Sequence, residues 1–80
     1  MKLVNIGFGN LINSDKIVAV LSPDSAPAKR LVGDAKKDKR LIDATQGRKT
    51  ESVIITDSDH IVLSYINNDE ILQRHNEAEE

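Results

Sequence analysis

The chain has no cysteine and no tryptophan, and Phe8 and Tyr65 are its only aromatic side chains. Without cysteine, neither a disulfide framework nor a cysteine–zinc site can staple a small fold. The same absence suits a reducing compartment. Long apolar runs are missing as well. The longest strictly apolar stretch, Ile17 to Leu21, falls far short of the ~20 residues that a spanning helix needs. No signal peptide precedes the first strand, so a soluble cytoplasmic protein with no membrane partner is expected. Large net charge is also absent. The formal value of −2 at pH 7, taken whole, argues against nucleic acid.

The distribution of charge argues otherwise. Residues 29–49 hold eight of the eleven Lys and Arg but only three acids, Asp34, Asp38 and Asp43. The rest of the chain carries three cations against ten acids. A basic stretch on an acidic molecule is compatible with binding DNA on one face. The plain alternative is a solvated helix end, since cations such as those of Lys36-Lys37-Asp38-Lys39-Arg40 are favoured at a helix C-terminus.

Eighty residues make one domain, expected over residues 1–76, with 77–80 an acidic frayed tail. So short a chain buries a modest core, and small domains without staples often gain burial by associating. The apolar pattern predicts a strand at Lys2–Ile6, broken by Gly7-Phe8-Gly9-Asn10 and resumed at Leu11-Ile12. Ile17–Leu21 is short and β-branched, with no alternation, so it should be covered on both sides. The following helix is one cover, and a neighbouring subunit is a candidate for the other. Val18 and Val20 are therefore expected at a subunit interface. Ser25 is a plausible N-cap for that helix, with proline in its first turn. Ala28, Leu31, Val32 and Ala35 share its apolar face. Gly33 weakens the helix by about 1 kcal/mol relative to alanine, which suggests a close approach there. Strands follow at Val53–Ile55 and Ile61–Ile66. Asp69 can cap a final helix from Glu70 to about Asn76. Asn13-Ser14-Asp15-Lys16-Ile17-Val18 also matches Asp57-Ser58-Asp59-His60-Ile61-Val62 at four of six positions. Either a duplication or similar turn chemistry accounts for this.

Catalysis is not expected. Ser58-Asp59-His60 reads like a triad, but neighbouring residues on a turn cannot line up as a proton relay. His60 is better read as bonding within its turn. Asp57 and Asp59 lack the spaced oxygen ligands of a calcium loop. Gly7-Phe8-Gly9-Asn10 lacks the third glycine and immediate helix of a dinucleotide fingerprint, so a tight bend between closely packed backbones is expected instead. No cofactor and no metal are expected.

The segment Leu41-Ile42-Asp43-Ala44-Thr45-Gln46-Gly47-Arg48-Lys49-Thr50 carries the most information. An apolar start runs into a glycine and two cations, and the strand at Val53 comes next. That order predicts a hairpin with Gly47 supplying the unusual backbone angles and Arg48 and Lys49 at its tip. A guanidinium offers a planar fork of donors suited to base edges. Lys49 suits phosphate, and Thr50 can add a hydroxyl or simply shape the turn. Lys29 and Arg30 can extend the footprint or pair with Asp34. The bland alternative is a turn that is polar because it is solvated.

The same segment resembles the signature of the RemA family, small bacterial regulators of extracellular-matrix genes. Asn5-Ile6-Gly7-Phe8-Gly9-Asn10, Ser22-Pro23-Asp24-Ser25-Ala26-Pro27-Ala28-Lys29-Arg30 and Asp57-Ser58-Asp59-His60-Ile61-Val62-Leu63-Ser64 resemble the same family, in the family's order. The resemblance implies a DNA-binding transcriptional regulator that assembles into a homo-oligomeric ring. It makes Lys16 the counterpart of a basic residue before the second strand, and it allows Phe8 a subunit contact. The family often shows two arginines after the glycine and a further cation. Here the pair is Arg48-Lys49, and Glu51 is acidic.

The expectation is an α+β domain. It comprises a small antiparallel sheet of two hairpins packed by a central helix, a short C-terminal helix, and ring assembly. Its partners would be duplex DNA and copies of itself. An RNA-binding ring and an oligomeric protein-interaction scaffold are the alternatives.

Overall fold

The structure is a computed structural model that describes residues 2–78. Its elements are β1 (Leu3–Asn5), β2 (Leu11–Asn13), a 3-10 turn (Ser14–Lys16), β3 (Ile17–Leu21), α1 (Ala26–Lys37), β4 (Leu41–Asp43), β5 (Ser52–Thr56), β6 (Ile61–Ser64) and α2 (Asn68–Glu77). The class is α+β, with two sheets. β1 and β2 form an antiparallel hairpin, and the other four strands lie in the order β3-β5-β6-β4.

The larger sheet is mixed. β5 pairs antiparallel with β3 and with β6, while β4 runs parallel to β6 at the far edge. The expected hairpin of β4 with β5 is therefore absent. β6 lies between them, and the eight residues from Ala44 to Glu51 cross over its C-terminal end. Hairpin loops are commonly two to five residues, and this link is longer because it spans two strand spacings.

Strands β5 and β6 set the layering. Successive side chains of a strand point to opposite faces. Val53 and Ile55 of β5, with Ile61 and Leu63 of β6, face α1 and meet its Ala28 and Ala35. Ile54 and Val62 face the other way, onto Val4 and Ile6 beside β1 and onto Ile66 and Ile71 near α2. The sheet is thus covered on both faces by its own chain. The second cover expected from a neighbouring subunit is supplied by the β1–β2 hairpin and α2. β3 is the other edge strand. Its register shifts between Ile17 and Ala19, so Val18 bulges out, 65% exposed, while Val20 packs on the core. A bulge on an edge strand is a common device against indiscriminate edge pairing.

Local chemistry explains the ends. Ser25 caps α1, its hydroxyl accepting from the Ala28 N–H. Past the helix, Lys39 adopts a left-handed φ of 59°, the conformation that commonly ends helices. The N-cap of α2 is Asn67 rather than Asp69, because the Asn67 side chain accepts from the Glu70 N–H. The helix starts earlier than expected and runs through Glu77, the first residue of the expected tail. Residues 79 and 80 lie outside the described residues. The two halves repeat strand, strand, strand, helix, but not the pairing. β5 and β6 form a hairpin, whereas β2 and β3 belong to different sheets.

Gly33 does not mark a close approach within the chain. A Cβ built there meets nothing within 4 Å. Gly33→Ala should therefore stabilise the fold by about 0.5–1 kcal/mol through helix propensity, measured by denaturant unfolding. Destabilisation would mean that another molecule approaches the helix at that point.

Candidate functional site

Asp43, at the end of β4, organises the crossing segment. Its Oδ1 accepts from the Thr45 backbone N–H at 2.9 Å and from the Thr45 hydroxyl at 2.6 Å. The backbone then turns tightly, the Arg48 N–H donating to the Thr45 carbonyl at 3.0 Å. The two central residues, Gln46 and Gly47, have φ of 50° and 84°. Positive φ at both is the signature of a type I′ turn. Gly47 thus supplies the expected backbone angles, but on a strap across the sheet end rather than at a hairpin tip. Thr45 and Ala44 are buried, while Gln46, Gly47, Arg48 and Lys49 are exposed. The strap is anchored at both ends to β6, through Ala44 N–H to the Leu63 carbonyl and Glu51 N–H to the Ser64 carbonyl.

The two cations have different surroundings. Lys49 is 84% exposed in its side chain, with a single 3.9 Å approach to Glu51. Such exposed pairs contribute about 0–1 kcal/mol and hold the ammonium loosely. The Arg48 guanidinium carbon lies 4.9 Å from the centre of the Tyr65 ring. No other described residue hydrogen-bonds or ion-pairs with its side chain. Tyr65 in turn packs on Phe8, with ring centres 4.9 Å apart and planes at 48°. The two aromatics, remote in sequence, thus meet beside the strap.

Other expected contributors divide between the two ends of the sheet. The α1 N-terminus follows β3 at the strap end. There Lys29 and Thr50 line one shallow groove with Pro23, Val32, Val53 and Leu63. Arg30 is exposed on the same part of α1. Lys16 is at the opposite end, where Ile17 pairs with Thr56, and its ammonium lies 3.7 Å from Asp57. Arg40 is also engaged there, donating to the Asp59 carbonyl at 2.6 Å and approaching Asp38 at 3.2 Å. The basic stretch of the sequence is therefore split. Lys29, Arg30, Arg48 and Lys49 gather at one end, whereas Lys16, Lys36, Lys37, Lys39 and Arg40 lie towards the other.

His60 is held within its turn, Nδ1 against the Ser58 hydroxyl at 2.9 Å and its backbone N–H donating to the Thr56 hydroxyl. Among the described residues, no group of three His, Cys, Asp or Glu is placed to hold a metal. No helix among them is long and apolar enough to cross a membrane.

The family description "Extracellular matrix regulatory protein A-like" matches residues 3–75. The chain belongs to the RemA-like family. It is 59% identical over 75 residues to a protein of Thermodesulfovibrio yellowstonii, covering 94% of this chain and 88% of that one. A Dictyoglomus thermophilum protein is 60% identical over 74 residues, covering 92% and 87%. A Thermoanaerobacter protein is 52% identical over 80 residues, covering 100% and 83%. All three are named "Putative regulatory protein". Family and names alike describe regulation rather than catalysis. Sequence reasoning singled out Arg48 and Lys49 but missed Asp43, Thr45 and Tyr65. The Asp-x-Thr spacing before the glycine is the signal that could have found the first two.

The two bonds from Thr45, side chain first and backbone second, hold the Asp43 carboxyl below its ordinary value of 3.8. A depressed folded-state pKa stabilises above the unfolded value and is lost as pH falls through the folded value. The Thr45 amide NMR signal should therefore hold its position down to the ordinary aspartate range and shift only below it. Asp43→Ala should displace that signal at neutral pH, and Asp43→Asn, which keeps the acceptor oxygen, should displace it less.

Proposed function

We propose that the protein is a non-enzymatic transcriptional regulator that binds duplex DNA through the Gln46–Thr50 strap, repeated around a homo-oligomeric ring. The observation that carries this reading is Arg48, exposed on a turn whose backbone is fixed by Asp43 and Thr45. Rigid presentation of a guanidinium is what base-edge or minor-groove contact requires. Lys49, Thr50, Lys29 and Arg30 at the same end supply phosphate contacts. Gly47 allows the turn. Lys16, at the other end, would touch DNA only if the duplex ran along the subunit or reached it from a neighbour. The family description supports control of extracellular-matrix genes as the role.

One copy offers few cations, so affinity should come from several straps engaged together. Duplex DNA following them would bend, and deformability would add to sequence preference. Assembly is supported by exposed apolar residues at both sheet edges. Val18 protrudes from β3, and Ile42 of β4 is 49% exposed near Leu11 at 57%. Different patches on opposite edges favour head-to-tail contacts, which close into rings when the rotation allows. Phe8, at the turn before Leu11, would extend the second patch.

Arg48→Ala should nearly abolish duplex binding in gel-shift assays while the assembly keeps its size. One arginine–base contact contributes about 1–3 kcal/mol, and the loss repeats in each engaged subunit. Parental affinity with assembly intact would refute the reading. Binding by the parent should also fall steeply with salt, the log–log slope changing by about 0.9 per phosphate neutralised. A preference for single strands would favour an RNA-binding ring, and a flat salt response a protein scaffold.

Assembly has its own test. Val18→Asp should dissociate the oligomer into folded, smaller species by light scattering. Val20→Asp should unfold the chain, because Val20 packs on the core and an unpaired buried charge costs several kcal/mol. A parental protein that is monomeric at micromolar concentration would exclude the ring.

A further inference from the structure

We infer that Tyr65 positions Arg48 for DNA, and that the Gly7–Phe8 turn holds Tyr65 where it can do so. The inference rests on the reading of Arg48 as the DNA-contacting residue, and it gives the Gly7-Phe8-Gly9-Asn10 segment a task within that reading.

The β1–β2 turn places three successive residues at positive φ, Gly7 at 108°, Phe8 at 54° and Gly9 at 76°. For Phe8 this conformation is costly, about 1–2 kcal/mol, so the surrounding structure must hold it there. Two contacts do so. The Phe8 ring packs on Tyr65. The buried Ser64 hydroxyl donates to the Ile6 carbonyl at 2.8 Å, tying the start of the turn to the residue before Tyr65. Gly7 then lies so close to the tyrosine that a Cβ would stand 2.3 Å from Cε1 and 2.9 Å from Cδ1. Only a residue without a side chain leaves room for the ring. Backbone and Phe8 confine Tyr65, and Arg48 lies over its ring.

A free arginine side chain samples many rotamers, and ordering it on DNA costs entropy. Holding the guanidinium over an aromatic ring restricts those rotamers beforehand. A ring contact of this kind consumes none of the guanidinium's N–H donors. Lys49, next in sequence, has no such support. The two neighbours therefore differ, Arg48 having a ring contact that suits base recognition and Lys49 being an exposed ammonium suited to phosphate.

The test uses the assembled full chain. A preferred duplex is selected from a random-sequence pool with the parent, and its affinity is compared with that of a mixed-sequence duplex. Tyr65→Phe, which keeps the ring, should preserve the preference. Tyr65→Leu should reduce it by about threefold to thirtyfold per engaged contact, the range expected for a guanidinium–ring interaction. In the Arg48→Ala background, Tyr65→Leu should have no further effect on the preference. An equal loss from Tyr65→Leu in both backgrounds would assign Tyr65 a purely structural role and overturn the inference. So would an undiminished preference in Tyr65→Leu when Arg48→Ala has lost it, and in that case DNA reading by Arg48 would stand. If Arg48→Ala itself binds as the parent does, both fail. A second measurement needs no change at position 65. Ring current should shift the Arg48 side-chain protons upfield relative to those of Arg30 in the parent's NMR spectrum, and unshifted signals would overturn the inference even if Tyr65→Leu failed to assemble.

Discussion

The C-terminal end of β6 is the joint on which the molecule depends. Ser64 is fully buried, and a buried hydroxyl must find partners or cost stability. It finds two, donating to the Ile6 carbonyl and accepting from the Ile66 N–H. The first bond fastens the small sheet to the large one. The second sets the bend by which the chain leaves β6 for α2. Opposite it in register, buried Ser52 donates to the Ile66 carbonyl at 2.5 Å. Two serines in an otherwise apolar pair of strands thus bring together the β1–β2 turn, the strap and the start of α2.

That joint explains why the exposed chemistry gathers where it does. The strap crosses at Ser64 because β4 and β5 both have an end there, with β6 between them. Tyr65, the next residue, emerges beside the strap. Gly7 arrives from the other sheet on the Ile6 bond. The rigid part of the candidate surface is therefore assembled from three segments distant in sequence, each held by backbone contacts. Exposed Lys49, Lys29 and Arg30 lie at the same end. Such a division suits recognition of a polyanion, where long-range attraction needs only charge but discrimination needs fixed geometry.

The opposite end of the sheet has a different character. Two of its cations are paired with carboxylates, Lys16 with Asp57 and Arg40 with Asp38, and Arg40 also donates to the Asp59 carbonyl. Exposed pairs of this kind add little stability, but they lower the local positive field. The fold thus divides the eight Lys and Arg of residues 29–49 between both ends of the sheet, and Lys36, Lys37 and Lys39 keep the opposite end basic as well.

Much of this was legible in the chain itself. Helix α1 followed from its serine cap and from apolar spacing at Ala28, Leu31, Val32 and Ala35, because both signals act within a few turns. The bend at Gly7-Phe8-Gly9 and the unusual angles at Gly47 were readable for the same reason, since backbone conformation is a local property. So was the family, through four segments in order. Strand pairing was legible only in part, since the turn at Asp57–Asp59 joins β5 to β6 as expected whereas β4 pairs with β6 instead of β5. Val53–Ile55 and Ile61–Leu63 look alike whether β4 joins β5 or β6, and only burial of both faces of β6 decides between them. The cover over the second face, the caging of Tyr65 by Gly7 and Phe8, and the division of cations between two ends were likewise decided by the tertiary structure. Each depends on contacts between residues far apart in sequence, and composition and spacing carry no record of which distant partners meet.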